Sequence, residues 1–286
     1  MKIALHDADG KRFPNLALMK LSAVAKADGS EVGWYDPMFF AGDKLYSSSV
    51  FTFANKDSYL PSNAIKGGTG YGLSQTLSDE TEHICPDYDL YGIDYSLGFL
   101  TRGCPNKCSW CIVPEKEGDI RANADVDEFL RHDKVVLMDN NVLAHRHGIE
   151  QIEKMARLGV KMDFNQGLDA RLIDDGIAKL LGKCKWLSPV RLACDSKSQM
   201  DSIQKAVGLL RWHNVTPRCY FCYVLVKDVD DALERVKFLK MLNVDPFAQP
   251  FRDKRGTNPT RQQKDFSRWV NQKAVYKSTT WDEYRP

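Results

Sequence analysis

Cys104, Cys108 and Cys111 bring three thiols into the short stretch Gly98-Phe-Leu-Thr-Arg-Gly-Cys-Pro-Asn-Lys-Cys-Ser-Trp-Cys-Ile-Val-Pro114, directly after an apolar run that reads as a strand. Thiolates at this spacing suit a soft metal centre, and a C-x3-C-x2-C loop supplies three of them to a cubane of four irons. One iron is then left without a protein ligand, open to a small molecule, and that is where chemistry would happen. An electron carrier or redox sensor is the competing reading, and three-cysteine ligation counts against it, because carriers saturate their clusters with four protein ligands. A zinc-binding interaction module is a third reading. It needs a fourth ligand, such as His83 or Cys85, and leaves the repeats described next unexplained.

From Tyr95 onward the chain alternates strand and helix signals. Strands are expected over residues 95–100, 135–138, 161–164, 190–194, 219–226 and 246–249, with a helix over 148–158 that places Ile149, Ile152, Met155 and Ala156 at three- and four-residue spacing. Six βα repeats imply a parallel sheet, either curled into an open barrel or flat between helical layers. In both cases ligands gather at the carboxyl ends of the strands, and the cysteine loop follows the first strand at that end.

The first 90 or so residues are expected to form a smaller Rossmann-like α/β domain. Residues 2–6 read as a strand, 15–27 as a helix with Leu18, Leu21, Val24 and Ala25 on one face, and 31–35 as a second strand after the Asp28-Gly29 turn. Short strands follow over 45–53 and 64–66, and Gly67-Gly-Thr-Gly70 reads as a tight turn, since it completes no phosphate-binding fingerprint. Residues 83–95, with Pro86, Asp87, Asp89 and Gly92, read as a linker. The expected domains are 1–90, a barrel over 91–258, and a C-terminal helix and tail over 259–286 whose Phe266, Trp269, Val270 and Trp281 pack on the barrel.

The 286 residues, 43% hydrophobic and 27% charged, are enough for one large or two modest cores. No apolar stretch approaches the roughly 18 residues that cross a membrane, and the start of the chain does not read as a signal peptide, so a soluble, cytoplasmic protein is expected. Eight cysteines in that compartment argue for metal and buried thiols over disulfides. Cys85, Cys184, Cys194, Cys219 and Cys222 read as structural; Cys219 and Cys222, three apart in one strand, point to opposite faces and make a poor second metal pair. With 40 basic against 38 acidic residues, no polyanionic partner is indicated. The local basic run over 252–268, with Lys254, Arg255, Arg261, Lys264 and Arg268, reads as a solvated surface.

The cysteine loop, with Trp110 just before its last thiol, resembles the signature of the radical S-adenosylmethionine superfamily. The likeness extends to Phe13-Pro-Asn-Leu-Ala-Leu-Met-Lys-Leu and Phe164-Asn-Gln-Gly-Leu-Asp-Ala-Arg171, which look like radical enzymes of bacteria and their phages. The resemblance implies a partial (β/α)6 TIM-like barrel, a [4Fe-4S] cluster on Cys104, Cys108 and Cys111, and reductive cleavage of S-adenosylmethionine to a 5'-deoxyadenosyl radical. It also implies an external electron donor such as flavodoxin or ferredoxin. The substrate and its catalytic residue are not identified.

Carried onto this sequence, the resemblance sets Trp110 near the adenine and Asp139, Asn140 and Asn141 at the methionine amino group, in place of the family's usual Gly-Gly-Glu. Asp195 would hold the ribose hydroxyls or the methionine carboxylate, or else cap the following helix. Gln166 and Arg171, past the third strand, form a carboxylate or substrate site or a plain capping turn, and Gln249 closes the set past the sixth strand. The N-terminal layout resembles the cobalamin-binding domain of one branch of the superfamily. That branch's Asp-x-His-x-x-Gly is absent, because Asp7-Ala-Asp9-Gly-Lys lacks the histidine and His6 precedes it, so cobalamin is disfavoured but retained as an alternative. Methylthiolation is disfavoured too, since the additional N-terminal cysteines for a second cluster are missing.

Overall fold

The computed structural model describes residues 1–11, 13–52, 60–215, 220–253 and 257–286. They form two compact units, Met1–Gly98 with Ala124–Lys134, and Phe99–Asn123 with Val135–Pro286. Both are α/β with parallel sheets.

In the first unit the strands Glu31–Trp34, Lys2–Asp7, Lys44–Ser48 and Ile65–Gly67 lie in that order, and every neighbouring pair is parallel. Ile3, Ala4 and Leu5 are consecutive and all buried, the mark of a central parallel strand covered on both faces. The crossover helix Leu16–Ala27 starts at Asn15, whose side chain accepts from the Leu18 N–H, and it lays Leu18 and Ala25 on Ile3 and Leu5. The strand expected to run to residue 53 stops at Ser48, where the Asp9 carboxylate takes the Val50 N–H at 2.6 Å; Phe53 lies outside the described residues.

The segment 83–95 is not a linker. Asp87 bonds Ser22 and Lys26 at 2.5 and 2.7 Å, buried Tyr88 donates to the Phe129 carbonyl at 2.5 Å, and Tyr91 donates to Asp7 at 2.6 Å. Its Pro, Asp and Gly content describes an irregular path, while its tyrosines supply apolar anchors with a polar tip.

In the second unit the strands Lys134–Leu137, Lys161–Phe164 and Lys185–Trp186 lie side by side, and Val190–Ala193, Tyr220–Val226 and Asp245–Pro250 make a second parallel group. The strand expected at 190–194 is present as Val190–Ala193, just after Pro189, which supplies no N–H to a ladder, and an isolated parallel bridge joins its Leu192 to Leu168. Helices Arg146–Leu158, Asp175–Leu181, Met200–Trp212 and Val229–Met241 fill the connections.

The strand Tyr220–Val226 buries Tyr220, Cys222, Val224 and Val226 on one face and half-buries Phe221, Tyr223 and Leu225 on the other. Phe221, Tyr223 and Phe247 meet there with ring centroids 5.0 to 6.1 Å apart. Cys222 is fully buried, and Cys219 lies outside the described residues. The C-terminal helix Arg261–Asn271, capped by Thr260 and Gln263, buries Phe266, Trp269 and Val270, with the Trp281 ring 5.2 Å from Phe266. Its aromatic face is core. In the basic run, Arg261 and Arg268 both reach Asp265, while Lys254 and Arg255 lie outside the described residues. Among the described residues no helix is long and apolar enough to cross a membrane.

Candidate metal centre

The cysteine loop hangs from a two-residue ribbon in which Thr101–Arg102 pairs antiparallel with Arg121–Ala122. The chain turns into the loop at Gly103, whose φ is +81°, and a Cβ there would stand 2.2 Å from the Asp119 carbonyl oxygen. Only glycine fits that crossing. Cys104 donates its N–H to the Gly118 carbonyl at 3.2 Å, and a turn closed by the Cys111 N–H on the Cys108 carbonyl at 3.0 Å sets the last two thiols. The short helix Val113–Lys116, with Pro114 in its first turn, leads out.

Three carboxylates, one buried and two half-buried, fasten this loop. Asp139 accepts from the Thr101 N–H and hydroxyl, both at 2.6 Å, and from the Leu100 N–H at 3.2 Å. Its burial pushes the carboxyl up, and the Thr101 and Leu100 bonds only partly offset this, leaving it raised to about 6. Glu117 Oε2 accepts from the Gly103 N–H and from Asn140 Nδ2, each at 3.0 Å, with Arg102 at 3.4 Å from Oε1. Asp169 Oδ2 accepts from Asn106 Nδ2 and Asn141 Nδ2, each at 3.1 Å, and from Arg171 at 2.6 Å. Burial works to raise the Asp169 carboxyl, but the bonds from Arg171 and Asn106 outweigh it and hold it below the usual range.

The thiols feel one another. Burial pushes the Cys108 thiol up, and the negative charge of Cys111 and Cys104 pushes the same way, against the pull of Arg171. A cation beside these sulfurs would offset what holds the Cys108 thiol up. Asn141 gives Cys104 Sγ an N–H at 3.8 Å, while its own Oδ1 is buried with no hydrogen-bond partner. A buried orphan acceptor beside a thiol fits a ligand that brings an N–H donor. Among the described residues, no group of three or more His, Cys, Asp or Glu is arranged as a ready-made cation site.

Of the residues singled out in the sequence, Asn140, Asn141 and Arg171 converge on the loop through these carboxylates. Asp195 is close enough to act electrostatically on Cys108, and it accepts the Leu225 N–H at 3.0 Å. Burial raises the Asp195 carboxyl against that bond and the charges of Arg235 and Lys227. Trp110 is half-buried, and the Lys227 ammonium stands 4.1 Å from its ring centroid and 4.7 Å from that of Phe251. Asp139 turns both oxygens to the strand before the loop, while Gln166 and Gln249 are exposed. Arg191 forms an ion pair with buried Asp163. Nothing in the sequence singled out Glu117 or Asn106, and the segment carrying Asp169 read equally as a substrate site or a capping turn. Asp169 does cap, accepting the Arg171 N–H at 3.2 Å, so that signal was real but incomplete.

His83 and Cys85, the candidate zinc ligands, belong to the first unit. His83 is 2.7 Å from Glu128, and burial raises the Cys85 thiol. In the same unit the polar carboxyl end of the sheet bonds to itself. His6 meets Ser47 at 2.8 Å, Ser47 meets Tyr71 at 2.8 Å, and Asn15 donates to Ser48 at 2.9 Å.

No family model matches the chain, and no curated protein matches it in sequence. Among solved structures, the chain is similar to the cobalamin-dependent S-adenosylmethionine radical enzyme OxsB with aqua-cobalamin bound, at 11% identity and a TM-score of 0.56. The match covers 96% of this chain and 56% of that one, so the chain spans little more than half its neighbour's length. At that identity the likeness is one of fold, and it runs through both the N-terminal α/β unit and the unit that carries the cysteine loop.

Proposed function

We propose that the protein is a radical S-adenosylmethionine enzyme, with a [4Fe-4S] cluster on Cys104, Cys108 and Cys111. The single observation that carries the reading is the placement of three thiols in one glycine-closed loop beside Asn141, whose carbonyl is buried and partnerless. The fold likeness to a radical enzyme supports it. When bound, the cluster supplies the electron that splits the sulfonium of S-adenosylmethionine into methionine and a 5'-deoxyadenosyl radical, which takes a hydrogen atom from the substrate.

The chain's own residues bind and orient. Asn141 Oδ1 is an acceptor suited to an ammonium group, and its N–H groups already face Asp169 and Cys104, so the amide cannot flip without breaking both bonds. Arg171, clasped by Asp169, keeps a positive charge near Cys108, and Asp195 adds a carboxylate for hydroxyl groups. In this reading residues 91–258 are taken as a partial (β/α)6 barrel with the cysteine loop after its first strand, 1–90 as an accessory domain and 259–286 as a closing helix and tail. The electron comes from an external donor such as flavodoxin or ferredoxin.

Anaerobic reconstitution with iron and sulfide, followed by electron paramagnetic resonance with and without S-adenosylmethionine and chromatography for 5'-deoxyadenosine, tests the assignment. A reduced-cluster signal that shifts on adding S-adenosylmethionine, with deoxyadenosine produced, is the expected result. Replacing all three cysteines by alanine must abolish both. A stable cluster indifferent to S-adenosylmethionine points instead to an electron carrier or redox sensor.

A further inference from the structure

The neighbouring amides Asn140 and Asn141 follow strand Lys134–Leu137 in a bend of the chain, and each finds a different carboxylate. Asn140 meets Glu117, which also holds the Gly103 N–H, one residue before Cys104. Asn141 meets Asp169, which also holds Asn106, between Cys104 and Cys108. A carboxylate only accepts, and its two oxygens have room for about four donors, so it joins segments that carry N–H groups and nothing else. Glu117 and Asp169 have side chains only 14% and 11% exposed, which keeps water from competing for those bonds.

We propose that Glu117 and Asp169 are the positioning residues of the cysteine loop, two carboxylates that tie its entrance and its middle to the Asn140-Asn141 pair and set the thiols before any metal arrives. The proposal deepens the radical-enzyme reading and rests on it for its purpose, but not for its test. Two facts argue against general packing as the role. Both carboxylates reach backbone or side-chain N–H groups inside or next to the C-x3-C-x2-C segment, and both spend a bond on the same dipeptide. Arg171 completes the arrangement, gripping Asp169 through Nε at 2.8 Å and Nη2 at 2.6 Å and holding that carboxylate in one orientation.

The test is the rate at which iodoacetamide alkylates each cysteine of the reduced, iron-free protein, resolved by peptide mass spectrometry across a pH series, so that the limiting rate of each thiolate is read apart from its fraction ionised. In Asp169→Ala and Glu117→Gln, alkylation of Cys104, Cys108 and Cys111 rises about tenfold, the opening expected when a hydrogen bond to a charged group is lost. Buried Cys184, Cys194 and Cys222 stay unreactive and report that the fold is intact. The exchange Asn106→Asp with Asp169→Asn restores the 106–169 bond with donor and acceptor reversed. It returns the loop rates toward those of the parent, which a merely structural residue would not do. If Asp169→Ala exposes the buried cysteines as well, Asp169→Asn alone and the exchange decide. Unchanged loop rates in the single variants, or an exchange that rescues nothing, overturn the proposal. Rates that follow the prediction in a protein whose reconstituted form ignores S-adenosylmethionine uphold the positioning and sink the radical-enzyme reading.

Discussion

Asn141 stands between Cys104 and Asp169 with its two N–H bonds divided between them, 3.8 Å to the sulfur and 3.1 Å to the carboxylate, so its carbonyl has one way left to point. An amide fixed at its donor end is a preorganised acceptor at the other, and ordering entropy need not be lost when a ligand arrives. Asn141→Ala in reconstituted protein is expected to weaken S-adenosylmethionine binding about tenfold, as read from the titration of the spectral shift. Cluster content should fall less than affinity. Unchanged affinity would remove Asn141 from the ligand's contacts.

The Asp139 carboxyl, raised to about 6 from an ordinary 3.8, makes stability depend on pH in an unusual direction for an acid. A folded-state value above the unfolded one means the folded protein holds this proton more tightly. The stabilisation is therefore complete below 3.8 and is lost as pH rises through about 6. The urea midpoint of the parent relative to Asp139→Asn, which cannot titrate, is expected to fall between pH 4 and pH 7. The difference is on the order of 2 to 3 kcal/mol. A flat difference would mean that the bonds from Thr101 and Leu100 fully offset the burial.

The elements of both units were legible where apolar residues recur at strand or helix spacing. Lys2–Asp7, Leu16–Ala27, Lys161–Phe164 and Tyr220–Val226 all carry that signal. What binds those elements together was not legible. Asp169 lies 63 residues from Asn106, and Glu117 lies 23 from Asn140, separations at which common polar residues carry no pattern. The same limit hid the role of segment 83–95, where composition announced a linker but Tyr88 and Tyr91 anchor it. That Lys185–Trp186 and Val190–Ala193, three residues apart, pair with different strands depends on partners far along the chain.

Arg235 is 1% exposed, and its guanidinium spans the sheet's carboxyl end. It donates to the Cys194 carbonyl at 2.6 Å and the Leu225 carbonyl at 3.0 Å, and Asp231 lies 2.7 Å away. The two carbonyls flank the Asp195–Leu225 bond, so the buried cation fixes a site residue from behind. Arg235→Met keeps most of the volume but leaves two buried carbonyls without their donor, at an expected loss of about 1 to 3 kcal/mol in chemical denaturation. Arg235→Lys should recover part of this, because one ammonium cannot copy the planar fork. Equal stability of all three proteins would show that water replaces the guanidinium.

Asn271 closes the open edge of the last strand by imitating a neighbouring one. Its Oδ1 accepts the Ala248 N–H at 2.9 Å and its Nδ2 donates to the Ala248 carbonyl at 3.0 Å. Pro246 and Pro250 share the parity of Ala248, so the N–H groups they lack fall on the same outer side, where no strand asks for them. Edge strands invite pairing with other chains, and here two prolines and one amide side chain block it. Asn271→Leu removes both bonds without shrinking the side chain and should cost about 1 to 3 kcal/mol. It should also speed hydrogen exchange at the Ala248 amide and raise light scattering on heating. Asn271→Asp keeps the acceptor and loses the donor, so it is expected to protect the Ala248 N–H while leaving the carbonyl open. Exchange at Ala248 that is equally fast in both variants would show that the helix face, through Phe266 and Trp269, guards the edge without the amide.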